Sequence, residues 1–120
     1  MTKELLPALP SDYSTLTHLT KVSKAYWGYS AEQMDKWAED LTITKDYIIT
    51  HLVYKLVKEE VMVGYYSLIR KDSETIELDN LFILPTAMGK GYGSLLLKDA
   101  LERSRQLGYE KIILLSLIHI

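Results

Sequence analysis

Apolar positions along the chain change their period twice, and the changes divide it into elements. Residues 5–9 read as a short first strand, broken by Pro7 and therefore placed at a sheet edge. Beyond it, Leu16, Leu19, Val22 or Ser23, and Tyr26 recur at helical spacing, so the pattern predicts a helix capped by Ser11 and ended by Gly28. Ser30 followed by Gln33 forms a capping box. Behind it Met34, Trp37, Ala38 and Leu41 make one apolar stripe, which predicts a second helix with Trp37 in the core. Thr44 caps a shorter helical turn through Tyr47 and Ile48.

The period then falls to two. Segments 52–58, 61–69 and 75–84 are rich in Val, Ile, Leu and Tyr and are separated by short polar stretches. They predict three consecutive strands in an antiparallel meander, the last ended by Pro85. Helical spacing returns over 91–107, with Leu96, Leu97, Ala100, Leu101, Ser104 and Leu107 on one side and an Asp99–Arg103 pair on the other; Gly108 ends it. Residues 111–117 form an almost unbroken apolar run, the pattern of a buried parallel strand. Strand, glycine loop, helix and strand make a βαβ unit with a right-handed crossover. The order of elements predicts an α/β (α+β) fold with a mixed, mostly antiparallel sheet.

Composition narrows the chemistry. The 120 residues fit a single domain, 1–120, and 48% hydrophobic with 25% charged residues is an ordinary globular composition. Fourteen Lys and Arg against sixteen Asp and Glu give a net charge of -2, so no basic surplus is available to hold nucleic acid by its phosphates. The absence of cysteine excludes disulfides, thiolate zinc sites and cysteine nucleophiles. The three histidines, His18, His51 and His119, are far apart, and no metal is expected. The start of the chain carries no signal-peptide pattern, and the apolar run 112–120 is shorter than the roughly 20 residues that span a bilayer. The expectation is a cytoplasmic protein with no membrane partner.

The glycine loop is the most informative stretch. Gly89, Gly91 and Gly93 alternate between a strand and a long helix, where the backbone can pass close to a ligand. Amide N–H groups at a helix start, helped by the helix dipole, suit phosphate oxygens, and Lys90 and Ser94 can add contacts. The loop is neither a Walker A loop, because Gly91 follows Lys90, nor a dinucleotide fingerprint, because Ser94 stands where a third glycine is required. A tight turn without a ligand fits the spacing as well. On the strand before it, period-two alternation puts Ile76, Leu78, Asn80, Phe82 and Leu84 on one face and Glu77, Asp79, Leu81 and Ile83 on the other. Glu77 and Asp79 then project about 7 Å apart. Adjacent carboxylates repel, and one that holds a proton more readily serves as a general base for an ammonium substrate. A solvent-facing polar stripe gives the same pattern.

Met88-Gly89-Lys90-Gly91-Tyr92-Gly93 resembles the Gln/Arg-x-x-Gly-x-Gly/Ala hallmark of the GNAT superfamily of acyl-CoA N-acyltransferases, with Met88 departing from the first place. The order of elements is similar over the whole chain. The resemblance implies an N-acetyltransferase that takes acetyl-CoA as cosubstrate and passes its acetyl group to a primary amine by direct attack. It implies that Met88, Gly89, Lys90, Gly91, Tyr92, Gly93 and Ser94 hold the pyrophosphate and that the backbone of Leu81, Phe82 and Ile83 pairs with the pantetheine arm. Glu77 matches the place where the family often carries a catalytic glutamate. Trp27 and Tyr29, in Tyr26-Trp27-Gly28-Tyr29, fall where members wall the acceptor pocket, and Asp79 is the third substrate-binding candidate. The alternative reading puts Tyr26 and Trp27 in the core and leaves Tyr29 as a half-exposed lid. The acceptor expected from the resemblance is a small-molecule or peptide amine, with a small molecule, a peptide N-terminus and a lysine side chain all open.

The family fold continues past the last strand with a helix and a closing hairpin, so the chain reads as truncated, and residues 115–120 look like a translated sequencing adapter. Missing closing elements leave an unpaired sheet edge, which favours a homodimer. A CoA-binding module without turnover and a fragment with no independent function are the competing readings.

Overall fold

The structure is a computed structural model and describes residues 3–114. Five strands make one sheet in the order β1 (Lys3–Pro7), β2 (Leu52–Lys58), β3 (Val61–Arg70), β4 (Thr75–Ile83) and β5 (Lys111–Leu114). The first four pair antiparallel in succession, and β5 pairs parallel with β4. Helix α4 (Tyr92–Gln106) covers one face, where Tyr66, Leu68, Ile76, Leu78 and Leu81 pack around Leu96. The other face carries α1 (Tyr13–Ala25) and α3 (Lys45–Thr50), with Leu16, Leu19 and Ile48 against Val53, Tyr65 and Phe82. The short α2 (Ala31–Lys36) lies between α1 and α3 in the chain.

One departure from regular strand geometry shapes the site. Ser67 of β3 faces Asn80, but the next residue, Leu68, faces Leu78, so Asp79 is an extra, unopposed residue on β4. This β-bulge shifts the alternation by one residue. Leu81 and Ile83 therefore join Ile76 and Leu78 on the α4 side, while Phe82 turns to the α1 side. The expected grouping of Phe82 with Ile76 and Leu78 is corrected by that insertion.

Other expectations are corrected nearer the N-terminus. Ser11 caps nothing: it lies in a 3-10 turn, Pro10–Asp12, and α1 starts after Asp12. The Asp12 carboxylate accepts the Leu9 N–H and the Lys55 ammonium, each at 2.8 Å. Tyr26 follows the last turn of α1 and is exposed, as is Trp27, so neither is core. Ser30 does accept the Gln33 N–H, at 3.1 Å, yet α2 closes at Lys36. Trp37, Ala38 and Leu41 fall beyond it in turns, and Trp37 is half-buried. Thr44 caps α3 through the Tyr47 N–H.

The βαβ unit forms as the pattern predicts. β5 runs parallel to β4 from Lys111 opposite Thr75 to Leu114 opposite Leu78. Ile113 and Leu114 are exposed instead of buried, because among the described residues β5 is the last strand of the sheet. The remainder of the expected strand, and the tail 115–120, lie outside the described residues. The Asp99–Arg103 pair forms at 3.3 Å, turned inward instead of toward solvent. The Tyr66 hydroxyl donates to Asp99, Arg103 Nε donates to that hydroxyl at 3.0 Å, and the guanidinium lies 3.9 Å from the Tyr54 ring centroid.

Gly64 lets β3 pass close beneath α4. A Cβ there would sit 2.9 Å from the Phe82 carbonyl oxygen and 3.1 Å from Leu96 Cδ1. Backbone on one side cannot yield cheaply, so Gly64→Ala is expected to cost about 1–3 kcal/mol. Thermal unfolding followed by circular dichroism should show Tm lowered by roughly 4–8 °C per kcal/mol. An unchanged Tm would mean that β3 and α4 yield enough there to admit a methyl group.

Candidate functional site

β4 runs through Leu84 and a 3-10 turn, Pro85–Ala87, into the glycine loop. Gly89 and Gly91 adopt φ of +79° and +81°, the left-handed region that glycine enters without strain. Gly91 is the N-cap of α4, and the first bond into the helix runs from the Leu95 N–H to its carbonyl, at 3.1 Å. Among the described residues, the N–H groups of Gly89, Lys90, Gly91, Tyr92, Gly93 and Ser94 donate to no protein acceptor. They open beside a hollow of about 240 Å³ lined by Ile83, Met88, Gly89, Gly91, Gly93 and Ser94, among others. A row of free donors at a helix start has the chemistry that suits an anion.

Two expected contributors behave differently. The Met88 N–H is already taken by the Pro85 carbonyl at 3.3 Å, so the free series begins at Gly89, and the Met88 side chain packs against the α4 core. Lys90 does not line that hollow. It borders a second one with Lys3, Lys58 and Tyr92, whose ring lies buried beneath the Lys3 and Lys58 ammonium groups.

The backbone of Leu81, Phe82 and Ile83 adjoins the loop. β5 pairs with β4 only as far as Leu78, so the outer edge of β4 beyond it has no strand partner among the described residues. The Leu84 N–H bonds the Val63 carbonyl at 2.8 Å, and the antiparallel alternation turns both backbone groups of Ile83 outward, and those of Leu81 likewise. Ser23 of α1 donates to the Ile83 carbonyl at 2.9 Å. The N–H groups of Leu81 and Ile83 therefore point away from β3 along an open edge.

On the α1 and α3 side of β4 is a cavity of about 310 Å³, lined by Lys24, Trp37, Asp40, Tyr47, Asp79, Asn80 and Phe82 with residues 41–43. Phe82 borders this cavity and Ile83 the loop hollow, so the end of β4 separates the two. The Tyr47 hydroxyl donates to Asp79 Oδ2 at 2.5 Å, lies 2.8 Å from Ser67 Oγ, and accepts from Asn80 Nδ2 at 3.4 Å. Burial, and then the hydrogen bond to Asp79, pushes the Tyr47 hydroxyl well above the usual tyrosine range, so it stays a donor. Lys24 is only 2% exposed, with its ammonium 4.9 Å from the ring centroids of both Tyr29 and Trp37. Those ring faces offset part of the cost of burying a cation.

The site residues singled out in the sequence are thus only partly gathered. Asp79 lines the cavity, and Tyr29 reaches it through the Lys24 contact and an edge-on stack with Trp37 at 4.7 Å. Trp27 is not among the lining residues and stacks edge-on against Tyr26 at 5.6 Å. Glu77 also stands outside the lining, with its carboxylate 3.6 Å from Lys71 Nζ. The two carboxylates occupy separate environments, one beside an ammonium and one beside a phenol. Lys24, Tyr47 and Asn80 were not singled out in the sequence. Lys24 could have been, because a lysine one turn past Thr20 falls on the buried stripe of α1. Tyr47 carries no such signal, since its partner Asp79 is 32 residues away.

Among the described residues no group of three or more His, Asp or Glu side chains is placed to hold a metal ion, and no helix is long and apolar enough to cross a membrane.

Residues 13–118 match the Acetyltransferase (GNAT) family. Similar solved structures include the PaiA N-acetyltransferase from Thermoplasma acidophilum in complex with coenzyme A, with a TM-score of 0.76 and 21% identity over 90% of this chain and 75% of that one. A GNAT family acetyltransferase from Elizabethkingia anophelis with acetyl-CoA bound gives 0.62 and 21% over 93% of this chain and 63% of that one. One from Brucella melitensis, in complex with acetyl-CoA, gives 0.74 and 16% over 96% and 76%. At these identities the likeness is one of fold, and the chain spans 63–76% of the length of these three structures. No curated protein sequence matches the chain.

Proposed function

We propose, for a chain that belongs to the Acetyltransferase (GNAT) family, that it binds acetyl-CoA and transfers the acetyl group to a primary amine by direct attack. Residues 1–120 are read as one such domain. The observation that carries the reading is the row of unengaged N–H groups from Gly89 to Ser94, beside a hollow and with the left-handed Gly91 at its middle as the helix N-cap. Those donors fit a diphosphate, because each can bond an oxygen without displacing a protein partner.

The outward N–H groups of Leu81 and Ile83 fit the amide-bearing pantetheine arm as an added strand would, and one of them can bond the thioester oxygen as charge develops there. The Ile83 carbonyl is already held by Ser23, so the arm would lean on the N–H donors of that edge. The cavity across Phe82 is the acceptor side. Coenzyme A or acetyl-CoA bound in the similar solved structures supports the same choice of cosubstrate.

Isothermal titration with acetyl-CoA tests the first half of the reading, and release of free CoA thiol across a panel of primary amines tests the second. Binding followed by amine-dependent thiol release is expected. Binding without release for any amine would leave a CoA-binding module, and no binding at all would remove the cosubstrate.

A further inference from the structure

Resting on that acetyl-transfer reading, we infer that Asp79, oriented by Tyr47, takes up the acceptor ammonium and receives its proton, in the role the family resemblance gave to Glu77. The bulge is the first ground. Asp79 is the unopposed residue of β4, and its side chain enters the 310 Å³ cavity instead of continuing the strand's alternation. A space of that size suits a small amine.

The hydrogen bonds are the second. The single hydrogen of the Tyr47 hydroxyl goes to Asp79 Oδ2, so Ser67 Oγ, 2.8 Å away, must be a donor to the Tyr47 oxygen, as the Asn80 amide is. Two donors into that oxygen polarise its O–H toward Asp79 and fix the plane of the carboxylate. Asp79 Oδ1 has no protein donor among the described residues. It is the oxygen left for a ligand N–H.

Charge is the third. Asp79 shares the cavity lining with Lys24 from α1, Asp40 from the segment after α2 and Tyr47 from α3, while Ser67 of β3 bonds Tyr47 and Tyr65 of β3 lies within electrostatic reach of Asp79. Two carboxylates against one ammonium in the lining give a formal excess of one negative charge, which favours a cationic acceptor. Glu77, next to Lys71 and outside the lining, already has its counterion.

The acceptor R–NH3+ passes one proton to Asp79 Oδ1, and its freed electron pair attacks the thioester carbonyl carbon. The C–N bond forms, the C–S bond breaks, and the electron pair leaves on sulfur. The nitrogen's second proton converts the thiolate to CoA thiol, and the proton on Asp79 passes to solvent. Asp79 is the catalytic residue on this account, and Tyr47 is a positioning residue.

Wild type, Asp79→Asn, Tyr47→Phe and Glu77→Gln are compared by titration with acetyl-CoA, by titration with phenethylamine, and by CoA release with phenethylamine across pH. Asp79→Asn should keep acetyl-CoA affinity within about twofold, lose at least tenfold in phenethylamine affinity, and lose about a hundredfold or more in kcat/KM. Tyr47→Phe should lose about tenfold in kcat with the phenethylamine KM within about threefold, because the carboxylate keeps its charge and loses the donor that fixes its plane. Glu77→Gln should be at least tenfold less impaired than Asp79→Asn.

Phenethylamine binding that is equal in wild type and Asp79→Asn, or absent from both, overturns the inference. So does a Glu77→Gln more impaired than Asp79→Asn. Failure of wild type to bind acetyl-CoA instead overturns the acetyl-transfer reading, and the phenethylamine titration still decides whether Asp79 takes up an ammonium group. Should Asp79→Asn not fold, the kcat loss of Tyr47→Phe at a nearly unchanged phenethylamine KM decides in its place, and a kcat equal to wild type overturns the inference.

Discussion

Gly91→Val is expected to weaken acetyl-CoA binding at least a hundredfold while the domain still folds. No steric conflict is involved, since a Cβ on Gly91 would meet nothing within 4 Å. The difficulty is the backbone, held at φ +81°. A β-branched residue there is strained by at least about 1–2 kcal/mol, and the chain relieves the strain by turning the peptide units on either side. Those units carry the N–H groups of Gly91 and Tyr92, the middle of the free series. Hydrogen bonds to a charged partner are worth about 1.5–3 kcal/mol each, so losing the aim of two of them accounts for more than a hundredfold. Asparagine, which tolerates this conformation, should bind better than alanine, and alanine better than valine. Isothermal titration of the three variants would show that order. Wild-type affinity in the valine variant would mean that the diphosphate is held elsewhere.

The loop was legible because its cause is local. Alternating glycines after a strand and before an amphipathic helix specify a left-handed N-cap with open amides, whatever the rest of the chain does. The meander and the parallel return of β5 were legible for a similar reason, since period and punctuation are written in consecutive residues. What the sequence hid were effects of distance. One inserted residue at Asp79 reverses the phase of everything after it in β4, and nothing in the composition of 75–84 marks where the insertion falls. The bulge turned Phe82 toward α1 and brought Asp79 to Tyr47, so the cavity could not be assembled from strict alternation. The aromatic pair Tyr26 and Trp27 failed as core for a different reason. α1 ends at Ala25, and beyond a helix terminus the helical period no longer decides which way a side chain faces.

Above pH 10 the protein is expected to unfold cooperatively, because folding removes several tyrosine hydroxyls from water. Tyr65 is fully buried, with its hydroxyl 2.6 Å from Thr20 Oγ1, and burial pushes its ionisation well above the usual range. Tyr66, also fully buried, is raised by burial and then by its hydrogen bond to Asp99, and Tyr47 by burial and then by its bond to Asp79. Loss of any of these protons would place a phenolate in the interior, for two of them directly against a carboxylate. Unfolded tyrosine ionises near 10. A folded value above the unfolded one means that the stability it represents is complete below pH 10 and is lost as the pH rises further. In that window each such tyrosine costs about 1.4 kcal/mol per pH unit. Tyr65 and Tyr66 together then remove about 3 kcal/mol per unit from a total of order 5–15 kcal/mol. Circular dichroism at 222 nm and tyrosinate absorbance at 295 nm, followed together, should show the contribution of these three rings arriving only with the loss of helix signal. Tyr65→Phe should be less stable than wild type at pH 7, where it lacks the Thr20 bond, and should lose that disadvantage progressively above pH 10. Development of the full absorbance of all nine tyrosines with the dichroism intact would show that the interior admits the charge.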